Sequence, residues 1–220
     1  MVMADVPYGV TGNKWDSVID LPSMWDVLGK VCHDRTPIVL TASQPFTSTL
    51  IMSNPDKFKY TWTWDKVNRH SGFLNAKKQP IRVTEDVCVF YQKQPTYNPQ
   101  MTEGVRYEAK SVGRKSDNYG KQSDTITRSN GLRYPKNLLS IKADERGSVG
   151  RIHPTQKPIE LMRYFIRTYT DPGGVVLDFT MGSGTTGVAC ALENRKFIGI
   201  EIDSEIYQTA KQRIKAQYDQ

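Results

Sequence analysis

The sequence has 220 residues, which is enough for one sizeable domain with its own hydrophobic core. Its mean hydropathy of -0.55 and the absence of a long apolar run predict a soluble protein without a membrane span or a signal peptide. The net charge of +7, with an isoelectric point near 9.2, favours a polyanionic partner.

The N-terminal segment combines a short predicted strand, residues 1–4, with a compact polar turn. Asp5 can accept a hydrogen bond from an amino group. Pro7 fixes the backbone and cannot donate, and Tyr8 offers a flat surface for stacking a base. On these residues alone, an ordinary Asp-x-Pro turn is an equally good interpretation.

Helical and strand patterns alternate through the next part of the chain. The predicted helices are 22–33 and 46–52, and the predicted strands are 36–42, 58–64 and 86–91. Residues 67–80 are polar and are predicted to form a loop. The alternation indicates an α/β fold with a largely buried sheet.

The composition changes near residue 95. Residues 95–152 are polar, contain Gly and Ser, and lack a clear period, and their cations are interleaved with tyrosines. A nucleic-acid-binding arm would use such cations on phosphates, and aromatic and amide groups on bases. A solvated or partly disordered insertion explains the composition equally well.

The C-terminal part is organised around residues 175–202, which are predicted to form a strand, a turn, a helix and a second strand. The elements in order are strand 175–177, Asp178, the turn Gly182-Ser183-Gly184, the helix Thr185–Leu192, strand 197–200 and Glu201. A glycine turn at a helix N-terminus suits an anionic group. An acid about 20 residues further on suits ribose hydroxyls. A plain βαβ unit without a ligand is the alternative.

Two helices flank this segment. The sequence His153-Pro154-Thr155-Gln156-Lys157-Pro158 opens the first one. Its predicted apolar face contains Leu161, Tyr164, Phe165 and Thr168. The second helix, 204–217, follows a cap at Asp203 or Ser204.

The cysteines and histidines do not predict a metal site. Cys32, Cys88 and Cys190 are isolated and have apolar neighbours, and the three histidines are scattered along the chain. We therefore expect buried thiols in a reducing compartment and no bound metal.

Three of these segments together resemble the amino-group DNA methyltransferases that use S-adenosylmethionine. Asp5-Val6-Pro7-Tyr8 is similar to the family's Asp-Pro-Pro-Tyr catalytic motif, and 153–158 is similar to its His-Pro-Thr-Gln-Lys-Pro cofactor segment. Residues 178–186 are similar to its Gly-Ser-Gly-Thr-Thr loop, with Glu201 as the ribose-binding acid. The catalytic motif precedes the cofactor motif, which is the permuted order of the β class. The stretches 13–16 and 73–78 are most similar to those of phage and prophage adenine methylases.

This resemblance implies a Rossmann-like methyltransferase sandwich with a mostly parallel sheet. It assigns 1–94 to the catalytic half, 95–152 to target recognition and 153–220 to the cofactor half. The implied catalytic residues are Asp5, Pro7 and Tyr8. The implied cofactor-binding residues are Asp178, Thr180, Gly182, Ser183, Gly184, Thr185, Glu201, His153, Thr155, Gln156 and Lys157. The DNA-binding candidates are Arg106, Arg114, Lys115, Lys121, Arg128 and Arg133.

Three departures from the family pattern affect these expectations. Val6 replaces the first proline of the catalytic motif, and we expect activity to survive because Asp5 and Pro7 remain. Phe179 stands one place earlier than the family's aromatic residue, which leaves the role of Thr180 open. Family members carry a strand and a helix ahead of the catalytic motif, so we expect the sheet to lack one N-terminal edge strand, next to the strand 197–200.

The resemblance implies a site-specific enzyme that flips adenine out of duplex DNA and methylates its N6 amino group. Cytosine N4 methylation and methylation of another substrate, such as RNA, are the enzymatic alternatives. A non-catalytic nucleic-acid-binding protein with a degenerate methylase fold is the alternative from another class. The expected partner is duplex DNA, with a homodimer as an option, and the expected setting is the cytoplasm of a bacterium or a phage-infected host, where a restriction enzyme could accompany it.

Overall fold

A computed structural model describes residues 1–9, 16–113, 115–118, 120–144 and 156–219. The chain divides into two compact units. The main unit comprises Met1–Asn98 and Asn137–Gln220, and the arm unit comprises Pro99–Lys136. His153, Thr155 and Arg114, three of the predicted site residues, lie outside the described residues.

The elements follow the chain in a regular α/β alternation interrupted by the arm unit. The strands are β1 Val2–Ala4, β2 Ile38–Ala42, β3 Phe58–Asp65, β4 Thr84–Phe90, β5 Thr102–Glu103, β6 Tyr107–Ser111, β7 Lys115–Ser116, β8 Gly120–Lys121, β9 Thr125–Ser129, β10 Leu132–Arg133, β11 Leu138–Ser140, β12 Val175–Asp178 and β13 Lys196–Gly199. The helices are α1 Leu21–Val31, α2 Phe46–Ser53, α3 Ile159–Tyr169, α4 Thr185–Leu192 and α5 Ser204–Tyr218. A 3₁₀ turn, Phe73–Asn75, lies between β3 and β4.

The main unit is built on a seven-stranded sheet in the order β11-β3-β4-β2-β1-β12-β13. Only β4 among these strands runs antiparallel to its neighbours. The predicted α/β fold with a mostly parallel sheet is therefore confirmed. β13 forms one edge of this sheet.

The sheet separates two hydrophobic cores because successive strand side chains point to opposite faces. On one face, Met3 and Val39 pack with α3 and α4. On the other face, Val2 and Leu40 pack with α1 and α2. Of the predicted apolar face of α3, Leu161, Phe165 and Thr168 are buried, and Tyr164 is half-buried against the same core.

Strand direction brings the segments of the predicted site to one end of the sheet, where the parallel strands have their carboxyl termini. The parallel strands β1, β12 and β13 all finish at this carboxyl end, and the chain after them contains Asp5, Thr180 and Glu201 respectively. Because β4 runs in the opposite direction, it begins at this same end of the sheet, and Glu85 is its second residue. Carboxyl ends of parallel strands are the usual place for a ligand in such sheets.

The helix α5 packs closely on the helix that follows the glycine turn. A Cβ atom added to Gly187 of α4 would lie 2.5 Å from Ile214 Cδ1, so only glycine allows this approach. The Asp203 side chain caps α5 by accepting hydrogen bonds from the amides of Glu205 and Ile206. These contacts hold α5 against the glycine-turn segment.

The arm unit consists of antiparallel strand pairs, β5 with β10, β6 with β9, and β7 with β8. No hydrophobic side chain among its described residues is buried. Arg133 lies over the Tyr107 ring at 4.8 Å, and Arg128 pairs with Glu108 at 2.9 Å. This unit is therefore held by backbone pairing and surface contacts rather than by a core.

The polar composition of 95–152 did not predict these strands, because short exposed strands lack an apolar period. β11 also lies in this region, but it pairs with β3 in the main sheet, and Leu139 is buried in the core. Cys88 and Cys190 are buried, as expected, whereas Cys32 is half-buried. Among the described residues, no helix is long and apolar enough to cross a membrane.

Candidate active site

Asp5 is surrounded by hydrogen-bond donors directly after β1. Its Oδ1 accepts hydrogen bonds from the Tyr8 hydroxyl at 2.8 Å and from the Thr41 hydroxyl. Lys157 Nζ lies 2.8 Å from both carboxylate oxygens. The carboxylate is thus fixed in orientation while a third of its side chain, 33%, remains exposed.

The turn that carries Asp5 is held by a second aspartate. Asp16 Oδ1 accepts hydrogen bonds from the backbone amides of Tyr8 and Gly9, both at 2.8 Å. Val6 is 2% exposed and packs into the core with α1 and α2. The departure from proline at this position therefore fills the core and leaves the polar face of the turn to Asp5 and Tyr8.

Tyr8 is held as a neutral phenol beside Asp5. Burial, followed by the charge of Asp5, raises the pKa of Tyr8 well above its usual value. Its ring stacks on Phe46 with centroids 5.5 Å apart, and Lys157 Nζ lies 5.3 Å from the Tyr8 centroid. These contacts fix the ring of the half-buried tyrosine next to the carboxylate.

The segment after β12 contacts the turn after β1. The Thr180 hydroxyl donates to the Asp5 backbone carbonyl at 3.2 Å, and the Thr180 amide donates to Asp178 Oδ1 at 3.1 Å. The displaced aromatic Phe179 packs toward the core around α1 and α2. Thr180 thus joins the predicted catalytic turn to the predicted cofactor segment.

Asp178 is buried beneath this segment. Its Oδ2 accepts a hydrogen bond from the Thr186 hydroxyl at 2.6 Å. Burial raises the pKa of Asp178 to about 7, and the hydrogen bonds from Thr186 and Thr180 only partly oppose this effect. Asp178 therefore supports the start of α4, and its charge changes near neutral pH.

The Glu201 carboxylate is hydrogen-bonded to the glycine turn. Glu201 Oε2 accepts a hydrogen bond from the Gly182 amide at 2.9 Å, and Oε1 accepts one from the Asp203 amide at 3.0 Å. Gly182 has a positive φ of 49°, and a Cβ atom added there would meet only the Thr180 carbonyl oxygen, at 4.0 Å. The turn therefore has open space next to a half-buried carboxylate.

Two consecutive residues before α3 reach different parts of the site. Gln156 Oε1 accepts a hydrogen bond from the Ser183 hydroxyl at 3.2 Å, on the glycine turn. Lys157 instead points to Asp5, which precedes it by 152 residues. Of these two predicted cofactor-binding residues, Gln156 lies at the glycine turn, whereas Lys157 lies at the predicted catalytic turn.

The DNA-binding candidates all belong to the arm unit. Arg106, Lys115, Lys121 and Arg128 are exposed. Arg133 is half-buried and donates hydrogen bonds to backbone carbonyls, including that of Leu132 at 3.0 Å. Lys115 and Lys121 face each other across the β7–β8 pair.

Sequence patterns did not single out three residues of the site: Asp16, Thr41 and Glu85. Asp16 ends the segment 13–16, whose similarity to phage and prophage methylases predicted no role in the site, and Thr41 is the next-to-last residue of a buried strand. Glu85 lies before the predicted strand 86–91. Only Thr41 carries a sequence signal, since a hydroxyl at the carboxyl end of a buried strand is unusual, but its partner Asp5 is 36 residues away. Within the described residues, no group of His, Cys, Asp and Glu side chains could hold a metal ion.

The family model for N6/N4 DNA methylases matches residues 1–212. The chain belongs to this DNA methylase family. The matched residues include both Asp5 and Glu201, so the whole candidate site at the carboxyl end of the sheet lies within the family match.

One curated relative of this methylase-family chain is the DNA adenine methyltransferase YhdJ of Escherichia coli (strain K12). It is 47% identical over 62 residues, which are 28% of this chain and 21% of the relative. The matched segment spans between 21% and 30% of the length of the curated relatives, which include Type II methyltransferases.

Solved structures extend the likeness to nearly the whole methylase-family chain. The complex of M1.HpyAVI with SAM has a TM-score of 0.65 and 25% identity, and the alignment covers 97% of this chain and 87% of that one. The PvuII DNA methyltransferase, which is cytosine-N4-specific, has a TM-score of 0.67 and 17% identity, with coverage of 99% and 83%. The second likeness concerns the fold alone.

Proposed function

We propose that this protein is an S-adenosylmethionine-dependent methyltransferase that modifies the N6 amino group of adenine in duplex DNA. The contact between Thr180 and Asp5 carries this proposal, since it joins a hydrogen-bond acceptor for the base to the glycine-turn segment. Family membership and the adenine methyltransferase YhdJ support the same assignment.

The residues at the glycine turn fit S-adenosylmethionine. The open space above Gly182 admits a ligand, and Glu201 is a half-buried carboxylate that could accept hydrogen bonds from a ribose diol. Ser183 and Gln156 add hydroxyl and amide groups at the same turn. The M1.HpyAVI relative was solved with SAM, which supports this choice of cofactor.

S-adenosylmethionine would supply an electrophilic methyl group. Adenine N6 is a weak nucleophile because its lone pair is delocalised into the ring. Asp5 would accept a hydrogen bond from the N6 amino group and localise that pair, and the backbone near Pro7 would accept a second one. The catalysis would come from positioning and electrostatics, without a covalent enzyme intermediate.

The target base must leave the duplex to reach Asp5, because the amino group is inaccessible inside a base pair. Tyr8 is the proposed stacking partner of the flipped base. Phe46 and Asp5 hold the Tyr8 ring in place, so the ring does not have to be ordered when the base arrives. This arrangement limits the entropy lost when the base binds.

We assign target recognition to the region 95–152, and within it to the exposed cations of the arm unit. Lys115 and Lys121 are the best candidates for phosphate contacts, because they lie opposite each other without an intervening acid in the strand pair. Like charges directly opposite in a sheet repel, and a phosphate would relieve this repulsion. Arg133 is assigned a supporting role because the arm unit's own backbone carbonyls occupy its donors.

Incubation with labelled cofactor and DNA of varied sequence, followed by mass spectrometry of the nucleosides, tests the proposal. We expect N6-methyladenine from the wild-type protein and none from Asp5→Ala, whose cofactor affinity should stay within several-fold. N4-methylcytosine would replace the adenine assignment with the cytosine one. Cofactor binding without any methylated nucleoside, or methylation in the Asp5→Ala variant, would contradict the proposed mechanism.

A further inference from the structure

We propose that Lys157 is a positioning residue, which is held by Glu85 and orients the Asp5 carboxylate for catalysis. This inference rests on the proposed methyltransferase function. Lys157 is the only residue of its motif, among those described, whose side chain reaches Asp5 rather than the glycine turn. The motif would then serve the catalytic turn as well as the cofactor.

The geometry forms a chain of alternating charges. Lys157 Nζ lies 2.8 Å from the Asp5 carboxylate and 3.3 Å from Glu85 Oε2. Glu85 Oε1 in turn lies 2.6 Å from Lys66 Nζ. Each inner charge therefore has an opposite charge on both sides, which offsets the loss of water on burial.

Asp5, at one end of this charge chain, is its most exposed member. The side chains of Lys66, Glu85 and Lys157 are 11%, 15% and 10% exposed, whereas that of Asp5 is 33% exposed. The buried members thus hold the one member that a substrate can touch. A charge chain that served stability alone would not need to end at the predicted catalytic carboxylate.

The two inner members of the charge chain, Lys157 and Glu85, have pKa values shifted in the direction that favours their charged forms. Burial by itself would lower the pKa of Lys157, but the charge of Asp5, assisted by Glu85, raises this pKa well above its usual value. Burial would likewise raise the pKa of Glu85, but Lys157 and Lys66 lower it. Lys157 therefore remains a cation, and it acts by orientation rather than by exchanging a proton.

Orientation matters because Asp5 has several possible hydrogen-bond donors around it. The hydroxyls of Tyr8 and Thr41 both donate to Oδ1, and the buried Lys157 lies 2.8 Å from both oxygens. These three contacts prevent rotation of the carboxylate. Oδ2 keeps acceptor capacity beyond Lys157, and a third of the Asp5 side chain is exposed, so the amino group of a base could still bind to it.

The test compares Lys157→Met and Lys157→Arg with a surface control. Lys93→Met is a matched control, because Lys93 pairs with Asp34 at 2.8 Å but both side chains are more than half exposed. Lys157→Met should lower kcat by about 10- to 100-fold, because displacement of a catalytic group by about 1 Å can have an effect of this size. Cofactor affinity by calorimetry should stay within threefold, since Gln156, not Lys157, contacts the glycine turn.

Lys157→Arg keeps the charge and should recover part of the lost kcat, although its planar donor group fits the site less well. Equal kcat in Lys157→Met and wild type would overturn the proposal. Cofactor affinity that falls as much as kcat would assign Lys157 to cofactor binding instead. If Lys157→Met does not fold, Glu85→Gln serves in its place, because it releases Lys157 from the other side. An unchanged kcat in folded Glu85→Gln would also contradict the proposed role.

Crystal structures of the same variants separate this inference from the proposed function. Lys157→Met should show a rotated or displaced Asp5 carboxylate, whereas Lys93→Met should leave it in place. If the wild-type protein methylates no DNA, the proposed function fails. The position of Asp5 in the Lys157→Met crystal structure then still tests whether Lys157 orients the carboxylate. An unmoved Asp5 in Lys157→Met would overturn the inference even in an active enzyme.

Discussion

At the scale of single residues, the carboxylates of Glu201 and Asp178, at the ends of β13 and β12, have different hydrogen-bond partners and different burial. Glu201 is half-buried and organises the glycine turn through the amides of Gly182 and Asp203. Asp178 is 3% exposed and supports the beginning of α4 through Thr186. The first residue is therefore expected to govern ligand affinity, and the second to govern the response of the fold to pH.

Glu201→Ala should weaken S-adenosylmethionine binding by tenfold or more. A hydrogen bond to a charged group contributes roughly 1.5–3 kcal/mol, and about 1.4 kcal/mol corresponds to tenfold in affinity. Calorimetric titration measures the change. Glu205→Ala is the control, because Glu205 is exposed on the first turn of α5. Unchanged affinity in Glu201→Ala would remove this residue from the cofactor site.

Asp178→Asn should flatten the dependence of stability on pH. The folded pKa of about 7 exceeds the ordinary aspartate pKa of 3.8, so the folded protein binds the proton more strongly than the unfolded chain does. The resulting stability is present below about pH 4 and is lost as the pH rises to about 7, by about 1.4 kcal/mol per pH unit.

Urea unfolding of both proteins at pH 5, 6 and 7 measures this effect. We expect the wild-type free energy of unfolding to fall relative to that of Asp178→Asn over this interval. The asparagine amide can keep the contacts to Thr180 and Thr186, so it imitates the protonated acid. Parallel pH curves for the two proteins would show that Asp178 is ionised in the folded state throughout.

At the scale of elements, the β7–β8 pair has a charge arrangement that a free hairpin would not favour. Lys115 and Lys121 are register partners, and their like charges repel. Replacing either one by Gln should weaken DNA binding for all sequences alike. It should also reduce the log–log salt slope by about one, because a single phosphate contact is lost.

Filter binding or fluorescence anisotropy at several salt concentrations gives the slope. Lys30→Gln is the control, since Lys30 lies in the last turn of α1 in the main unit. Arg128→Gln should have a smaller effect than Lys115→Gln, because Arg128 already pairs with Glu108. An unaltered slope in both lysine variants would exclude them as phosphate contacts.

At the scale of the whole molecule, the division into two units predicts that chemistry and recognition are separable. Replacing Pro99–Lys136 by a Gly–Ser linker should leave cofactor binding and cooperative unfolding in place, because no described side chain of that segment belongs to a buried core. DNA affinity should be lost, as measured by anisotropy. Retained DNA affinity would contradict the recognition role of the arm unit.

The boundary of this deletion matters. A longer deletion, 104–150, would also remove β11, whose Leu139 is buried in the core of the main unit. We therefore expect the longer deletion to unfold at a lower temperature than the shorter one. Equal unfolding temperatures would show that β11 contributes little to the main sheet.

Local patterns in the sequence determined most of the elements and their order. The helix Thr185–Leu192 follows from the glycine turn and small apolar residues, and the buried strands follow from β-branched runs. The order of the motifs was sufficient to predict the family and the mostly parallel sheet. These features could be predicted because helix period, turn chemistry and motif spacing are properties of neighbouring residues.

Only the tertiary structure decided which distant residues meet. Strand order and the reversed direction of β4 place Glu85 near Asp5, and the path before α3 brings Lys157 to Asp5, 152 residues away in the chain. A lysine within a motif has the same local sequence whether it binds a cofactor or a carboxylate. Its partner depends on how the sheet is assembled, and the free energy of such a buried contact comes from groups that lie far apart along the chain.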